Sequence, residues 1–113
     1  MRILVSLAAL VGALALGVGA AGASTAVGKL TATDGPGFTI TMSAKKVKAG
    51  MYRITVRDRS NVHNFHLIGP GINKKTSVGA VTTTVWTLRL KPGTYRYICD
   101  PHATFMKGVL KVT

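Results

Sequence analysis

The chain is 113 residues long, which allows one domain at most and excludes a multidomain architecture. It has 15 Lys and Arg residues against three acidic residues, and its formal net charge of +12 predicts anionic partners, such as an acidic protein or an anionic surface. The basic residues are scattered along the sequence, which is typical of a solvated basic surface and argues against a nucleic-acid-binding arm.

Residues 1–23 have the pattern of a secretory signal peptide. Arg2 gives a positive start, residues 3–18 are almost entirely apolar, and Ala21-Gly22-Ala23 forms a small-residue cleavage site. We therefore predict an exported protein whose mature domain covers residues 24–113. The alternative is an uncleaved membrane anchor, because the apolar run approaches the ~20 residues that span a bilayer. Several glycines in the run weaken it as a spanning helix and favour cleavage.

The remaining sequence is rich in Thr, Val, Lys and aromatic residues and is punctuated by turns, which is typical of an all-β protein. Apolar and polar residues alternate as in half-buried strands; in one of them Tyr52, Ile54 and Val56 share the inward face. The predicted strands cover residues 29–34, 38–43, 51–58, 61–68, 81–90, 95–99 and 108–113, and residues 72–79 are predicted to be a loop. About seven short strands predict a small β-sandwich or barrel.

Three metal-donor side chains lie in the segment 99–108, which begins at the end of the strand 95–99: Cys99, His102 and Met106. A thiol, two imidazoles and a weak thioether form a copper site that changes oxidation state with little rearrangement. The second imidazole is assigned to His63, which shares the apolar face of its predicted strand. His66 lies on the opposite face and is expected to be a surface or back-face residue.

Cys99 is the only cysteine, so no internal disulfide is possible. An unpaired thiol in an exported protein can form a disulfide with another molecule, act as a nucleophile or bind a metal. A nucleophile is disfavoured, because His102 follows Cys99 on a turn that Pro101 restrains, which leaves little room for a substrate. Metal binding is therefore the role that we favour for Cys99.

Two segments resemble the ligand segments of the cupredoxins, specifically the plastocyanin and amicyanin branch. The resemblance is carried by Val62-His63-Asn64-Phe65-His66-Leu67 and by Gly93-Thr94-Tyr95-Arg96-Tyr97-Ile98-Cys99-Asp100-Pro101-His102, followed by Met106-Lys107-Gly108. It implies a Greek-key β-sandwich with one type 1 copper, for which His63, Cys99 and His102 would be equatorial ligands and Met106 the weak axial ligand. It also implies that the Asn64 side chain ties the two ligand loops together.

The sequence departs from this branch at two positions. Three residues separate His102 from Met106, between the two of amicyanin-like loops and the four of plastocyanin-like loops. Ile98 stands where many plastocyanins have an outward aromatic residue. The exposed edge of His102 is therefore the expected route for electron exit.

These features together predict an exported type 1 copper protein that carries single electrons and is not an enzyme. Three histidines and one cysteine are too few for a multicopper oxidase or a two-copper site. Two alternatives stay open: a copper carrier or buffer of the cell envelope without redox turnover, and a metal-free adhesion or structural β-domain.

The expected setting is the periplasm, the cell surface or the extracellular space. The expected partner is an acidic redox protein or an anionic cell-envelope surface. We expect a monomer that binds no nucleic acid and has at most peripheral membrane contact.

Overall fold

The computed structural model describes residues 26–113, and the predicted signal peptide at residues 1–23 lies outside this range. The described chain forms nine strands and one short 3-10 helix. The strands are β1 Gly28–Asp34, β2 Ile40–Met42, β3 Lys46–Val47, β4 Gly50–Asp58, β5 His66–Gly69, β6 Ile72–Lys75, β7 Thr83–Leu90, β8 Gly93–Ile98 and β9 Lys107–Val112, and the 3-10 helix covers Asp100–His102. Within residues 26–113 we find no helix with the length and apolar character needed to cross a bilayer.

The strands form two mixed sheets. The first has the order β2-β1-β4-β7 and the second β3-β9-β8-β5-β6. The pairs β1/β4 and β3/β9 are parallel, and the other pairs are antiparallel. Inward side chains from both sheets form one apolar core, in which Ile54, Phe65, Leu67, Tyr95 and Leu110 are fully buried. The predicted all-β sandwich is confirmed.

Alternation along the long strands explains this core. In β4, Ile54 and Val56 are buried while Arg53 and Arg57 are exposed, as predicted. The same period places the last residue of β4, Asp58, on the inward face. The neighbouring strand β1 likewise ends at a buried acidic residue, Asp34. Two central strands therefore place polar side chains at one end of the core.

The structure has two edge strands that the sequence did not reveal, so the predicted number of about seven was too low. β3 is only two residues long. β6 lies where a loop was predicted and pairs with β5 at the outer edge of the second sheet. Its residues Asn73, Lys74 and Lys75 are exposed, so no apolar alternation marks it. Lysines on an edge strand also discourage pairing with another chain.

The strand predicted over residues 61–68 was wrong in its first half, since β5 begins at His66. The preceding residues are held by side-chain hydrogen bonds instead of a strand ladder. Thr76 accepts a hydrogen bond from the Phe65 backbone through its hydroxyl and one from the Asn64 side chain through its carbonyl oxygen. His63 and Asn64 are both buried in this non-strand segment.

Candidate metal centre

Two loops meet at one end of the sandwich. The first joins β4 to β5 and contains His63; the second joins β8 to β9 and contains Cys99 and His102. The second loop begins with Cys99, whose side chain continues the inward face of β8 after Tyr95 and Tyr97. Its turn is closed by backbone hydrogen bonds from His102 to Cys99 and from Cys99 to Met106, both 3.0 Å long. Alternation and this turn together aim the thiol into the end of the core.

The structure brings three of the four predicted ligands together. His63 Nδ1 lies 3.1 Å from His102 Nδ1, and Cys99 Sγ lies 3.7 Å from His63 Nδ1 and 3.6 Å from His102 Nδ1. His63 and Cys99 are buried, and His102 is partly exposed. Both imidazoles therefore present Nδ1 to the buried thiol.

These separations fit a metal ion. The centre of the triangle lies about 2.0 Å from each donor atom, and first-row ions such as zinc form bonds of about 2.0–2.3 Å to nitrogen and sulfur. A thiolate with two imidazoles suits copper in both oxidation states. The donor set and its spacing thus match the predicted copper site without further movement of the backbone.

The backbone of Met106 is hydrogen-bonded to two of the donor residues. Met106 is almost completely buried, and its backbone nitrogen donates a 2.8 Å hydrogen bond to the His102 carbonyl oxygen. The Cys99 nitrogen donates to the Met106 carbonyl oxygen. Both bonds fix the backbone of Met106 beside two of the donor residues, and its role as the axial ligand stays a prediction.

The two loops are joined by Asn64. Its side-chain oxygen accepts a 2.7 Å hydrogen bond from the backbone nitrogen of Asp100, the residue after Cys99. Its side-chain nitrogen donates to Asp100 Oδ2 at 2.9 Å and to the Thr76 carbonyl oxygen at 3.1 Å. One buried amide therefore connects the His63 segment with the Cys99 loop, which is the arrangement that the cupredoxin resemblance implied.

The comparisons with known proteins agree with this geometry. The family model of copper binding proteins of the plastocyanin/azurin family matches residues 26–113. The chain belongs to this family. Amicyanin-alpha of Methylorubrum extorquens is 38% identical over 71 residues, which cover 59% of this chain and 58% of amicyanin-alpha. The match thus spans less than two thirds of that relative.

Solved structures show the same fold. Rusticyanin from Thiobacillus ferrooxidans has a TM-score of 0.57 at 20% identity, covering 75% of this chain and 76% of rusticyanin. Auracyanin B has a TM-score of 0.52 at 19% identity, covering 80% of this chain and 91% of auracyanin B. The chain is a cupredoxin, and its cofactor is copper at a single mononuclear site.

Burial controls the protonation of the thiol in this cupredoxin. Desolvation raises the pKa of Cys99, and the negative charges of Asp34 and Asp100 raise it further, while hydrogen bonds from the backbone of Asn64 and His102 oppose this rise. A metal ligand must be the thiolate. Metal binding therefore displaces a proton from Cys99, which couples metal affinity to pH.

His66 was expected at the surface or on the back face of its strand, and it joins the network behind the site. Its Nδ1 lies 2.8 Å from Asp100 Oδ1 and its Nε2 lies 2.6 Å from Asn73 Oδ1. Its side chain is only 13% exposed. Burial alone would raise the pKa of Asp100, but hydrogen bonds from His66 and Asn64 outweigh it and hold that pKa below its ordinary value. The Cys99 loop therefore carries a fixed carboxylate.

Aromatic side chains cover the outside of the two histidines. Phe38 meets the His63 and His102 rings edge to face, with centroid distances of 5.3 and 5.1 Å. Phe105 lies 5.5 Å from His102 and 5.9 Å from Phe38. Phe38 was predicted to begin a strand, but β2 begins at Ile40 and Phe38 is 63% exposed. Its position in the preceding turn places it over the site instead of in the core.

Proposed function

We propose that this cupredoxin is an exported one-electron carrier whose copper is held by His63, Cys99 and His102, with Met106 as the weak axial ligand. The observation that carries the proposal is the convergence of one thiol and two imidazoles, from two separate loops, to separations of 3.1–3.7 Å. When bound, the copper supplies a one-electron couple between Cu(II) and Cu(I). Residues 1–23 support export to the periplasm, the cell surface or beyond.

The protein's own contribution is to keep the donors in place when the charge changes. Cys99 follows a core strand, and His63 is buried, so neither side chain has room to move. The Asn64 amide fixes the spacing of the two loops through three hydrogen bonds. A donor set that suits both oxidation states and cannot relax keeps the structural change on electron transfer small.

Electrons leave most directly through His102. It is the partly exposed member of the donor group, and two apolar side chains form a patch against its ring. In this patch Phe38 is 63% and Phe105 58% exposed. An apolar surface of this kind sheds water when a partner docks, which brings the two redox centres close together.

A negative charge in this patch is expected to slow electron self-exchange between two molecules. Phe105→Glu should reduce the self-exchange rate by about tenfold or more, because two carboxylates would have to be desolvated face to face. The rate is measured from NMR line broadening in mixtures of the Cu(I) and Cu(II) forms. Val85→Glu is the matched control, since Val85 is 51% exposed on β7 in the first sheet. Equal slowing in both variants would contradict exit through His102.

The charge of the partner follows from the charge of the surface. Two of the three acidic residues, Asp34 and Asp58, are buried, and Asp100 is engaged with His66. The exposed charge of residues 26–113 is therefore almost entirely positive. An acidic redox protein or an anionic cell-envelope surface is the partner that this field attracts.

Met106→Leu is expected to keep the blue colour and raise the reduction potential. Cu(I) is satisfied by the three strong donors, whereas Cu(II) prefers an additional ligand, so removing the weak axial donor favours Cu(I). The potential is measured by voltammetry and the colour by visible absorption. Met42→Leu is the control, because Met42 lies in β2 and packs in the apolar core. If Met106→Leu matches the parent in potential and spectrum, the axial assignment is wrong.

The second candidate function is copper carriage without redox turnover. The observation that favours it is the partial exposure of His102, through which a copper acceptor can reach the metal. Voltammetry of the copper form separates the two. A reversible one-electron wave with fast self-exchange supports the electron carrier. Loss of copper to a chelating acceptor within minutes, with no reversible wave, would instead support copper carriage without redox turnover.

A further inference from the structure

Two carboxyl groups face each other inside the end of the sandwich that carries the metal site. Asp34 is the last residue of β1 and Asp58 the last of β4, and they are register partners in this parallel pair. Both lie on the inward face, with exposed fractions of 0% and 2%. Neither group belongs to the proposed set of copper donors.

The two carboxyls have unequal surroundings. Asp58 accepts hydrogen bonds from the Ser60 nitrogen at 3.4 Å and from the Thr76 hydroxyl at 3.3 Å. Among residues 26–113, neither side-chain oxygen of Asp34 has a donor to accept from. Only the Asp34 backbone is paired, because its carbonyl oxygen accepts from the Arg59 nitrogen. A buried carboxylate without a partner is costly, so this arrangement needs an added proton.

A shared proton satisfies both groups. The Asp58 side chain is within hydrogen-bonding reach of Asp34, but two ionised carboxylates have no hydrogen between them. Burial, the hydrogen bond with Asp58 and repulsion from Asp58 raise the pKa of Asp34 from its ordinary 3.8 to about 8, against a smaller opposing effect of the Arg59 backbone. Two carboxyls this close titrate as one unit, with one proton held far above the ordinary range.

This pair is connected to the metal site by two routes. When it is ionised, Asp34 raises the pKa of the Cys99 thiol by repulsion. Gly35, the next residue, lies against His63, so that a side-chain carbon added there would be 3.3 Å from His63 Cδ2. The second route is a chain of hydrogen bonds. The Thr76 hydroxyl donates to Asp58, and the Thr76 carbonyl oxygen accepts from the Asn64 side chain.

We propose that Asp34 and Asp58 form a buried one-proton site whose occupancy is linked to the charge of the copper centre. The proton site itself stands on the geometry of the two carboxyls, and its link to copper rests on the proposed function. Oxidation of Cu(I) to Cu(II) passes one electron to the acceptor protein and favours release of the proton from the pair to water. Reduction favours its return.

The direction of the link follows from the groups that face the pair. The acidic group beside Asp34 is Asp58 from β4; an ionised Asp34 also raises the pKa of the Cys99 thiol. His63 packs against the adjacent Gly35, and Arg59 is exposed. The oxidised centre carries one more positive charge, so it weakens proton binding by the pair. The reduction potential must therefore fall as the pH rises through about 8.

Infrared spectroscopy of the metal-free protein tests the proton site without using copper. At about pH 5, already above the ordinary pKa of Asp, the parent is expected to show one protonated carboxyl band. As the pH is raised to about 10, this band should disappear around pH 8. Asp34→Asn should lack this band, whereas Asp100→Asn, which alters the third acidic residue, should keep it. A parent without the band, or an Asp34→Asn variant that retains it, would overturn the site.

Chemical unfolding of the same metal-free proteins gives an independent check. The folded parent holds a proton that the unfolded chain loses above about pH 4, so its free energy of unfolding should fall as the pH rises from about 4 to about 8. Asp34→Asn should remove this fall. An equal fall in the variant would contradict the assignment to this pair.

Voltammetry then tests the link to copper. The parent potential should decrease around pH 8, and the Asp34→Asn potential should not change in this range. A parent potential that stays constant there, despite the infrared band, would overturn the link. If the protein gave no copper couple at all, the proposed function would fail, while the infrared result would still decide whether the proton site exists.

Discussion

Replacing Cys99 with serine is expected to abolish the blue colour and to weaken copper binding by more than about 100-fold. Changes to residues outside the first ligand sphere already cost about 10–100-fold in metal affinity, and this change removes the only sulfur among the three clustered donors. A hydroxyl is also a poor ligand for Cu(I), so the reduced form should lose most affinity. Affinity is measured by competition with a chelator of known strength in each oxidation state.

The control for this variant is the fold of the metal-free protein. Serine is close to cysteine in size, so the cost in free energy of unfolding should be about 1–3 kcal/mol, the cost of burying a hydroxyl without a partner. Circular dichroism and chemical unfolding separate this loss from the loss of metal. A folded Cys99→Ser protein that is still blue would show that the thiolate is not a ligand.

Asn64→Ala is expected to lower both stability and copper affinity, although Asn64 does not bind the metal in our assignment. The change leaves the Asp100 backbone nitrogen and the Thr76 carbonyl oxygen without their present partner. Unpaired buried groups cost about 1–3 kcal/mol each, so the free energy of unfolding should fall by about 2–4 kcal/mol. Loosening the two loops should also weaken copper binding by about 10–100-fold.

Asn73→Ala is the matched control for this prediction. Asn73 also bonds a side chain of the network, His66, but from the exposed edge strand β6. Water can replace that bond, so the cost should stay below about 1 kcal/mol. Chemical unfolding and copper titration of both variants measure the two losses. Equal effects would mean that Asn64 does not join the two loops energetically.

The sequence predicted the elements in which alternation and burial coincide. Ile54 and Val56 in β4 and Tyr95 and Tyr97 in β8 have the inward positions that the pattern indicated. The donors of the second loop could be predicted because Cys99 continues such a strand and His102 follows within one turn. Local periodicity was sufficient there because one strand and one turn set the geometry.

Prediction failed where contacts between distant segments replace local pattern. The edge strand β6 has no buried apolar face that would mark it in the sequence. It is a strand because its backbone pairs with β5. The link from His66 to Asp100 depends on the pairing of β5 with β8, which aligns His66 with Ile98. Neither relation can be recognised from neighbouring residues.

Two acidic residues show a signal that was present but unused. Asp34 follows Leu30 and Ala32 at two-residue intervals, and Asp58 follows Val56 in the same way. Strict alternation therefore already placed both carboxyls inward. Only the parallel pairing of β1 with β4 shows that they meet. A polar residue that continues an apolar face thus indicates a buried polar site whose partner the topology must supply.

The most direct test of the account is a visible and electron paramagnetic resonance spectrum of the purified protein after addition of one equivalent of Cu(II). We expect an intense blue absorption and a narrow copper hyperfine splitting, because a thiolate bound to Cu(II) in a constrained site gives both. A pale solution with the wide splitting of ordinary Cu(II) would contradict the account, since it would show that Cys99 does not bind the metal.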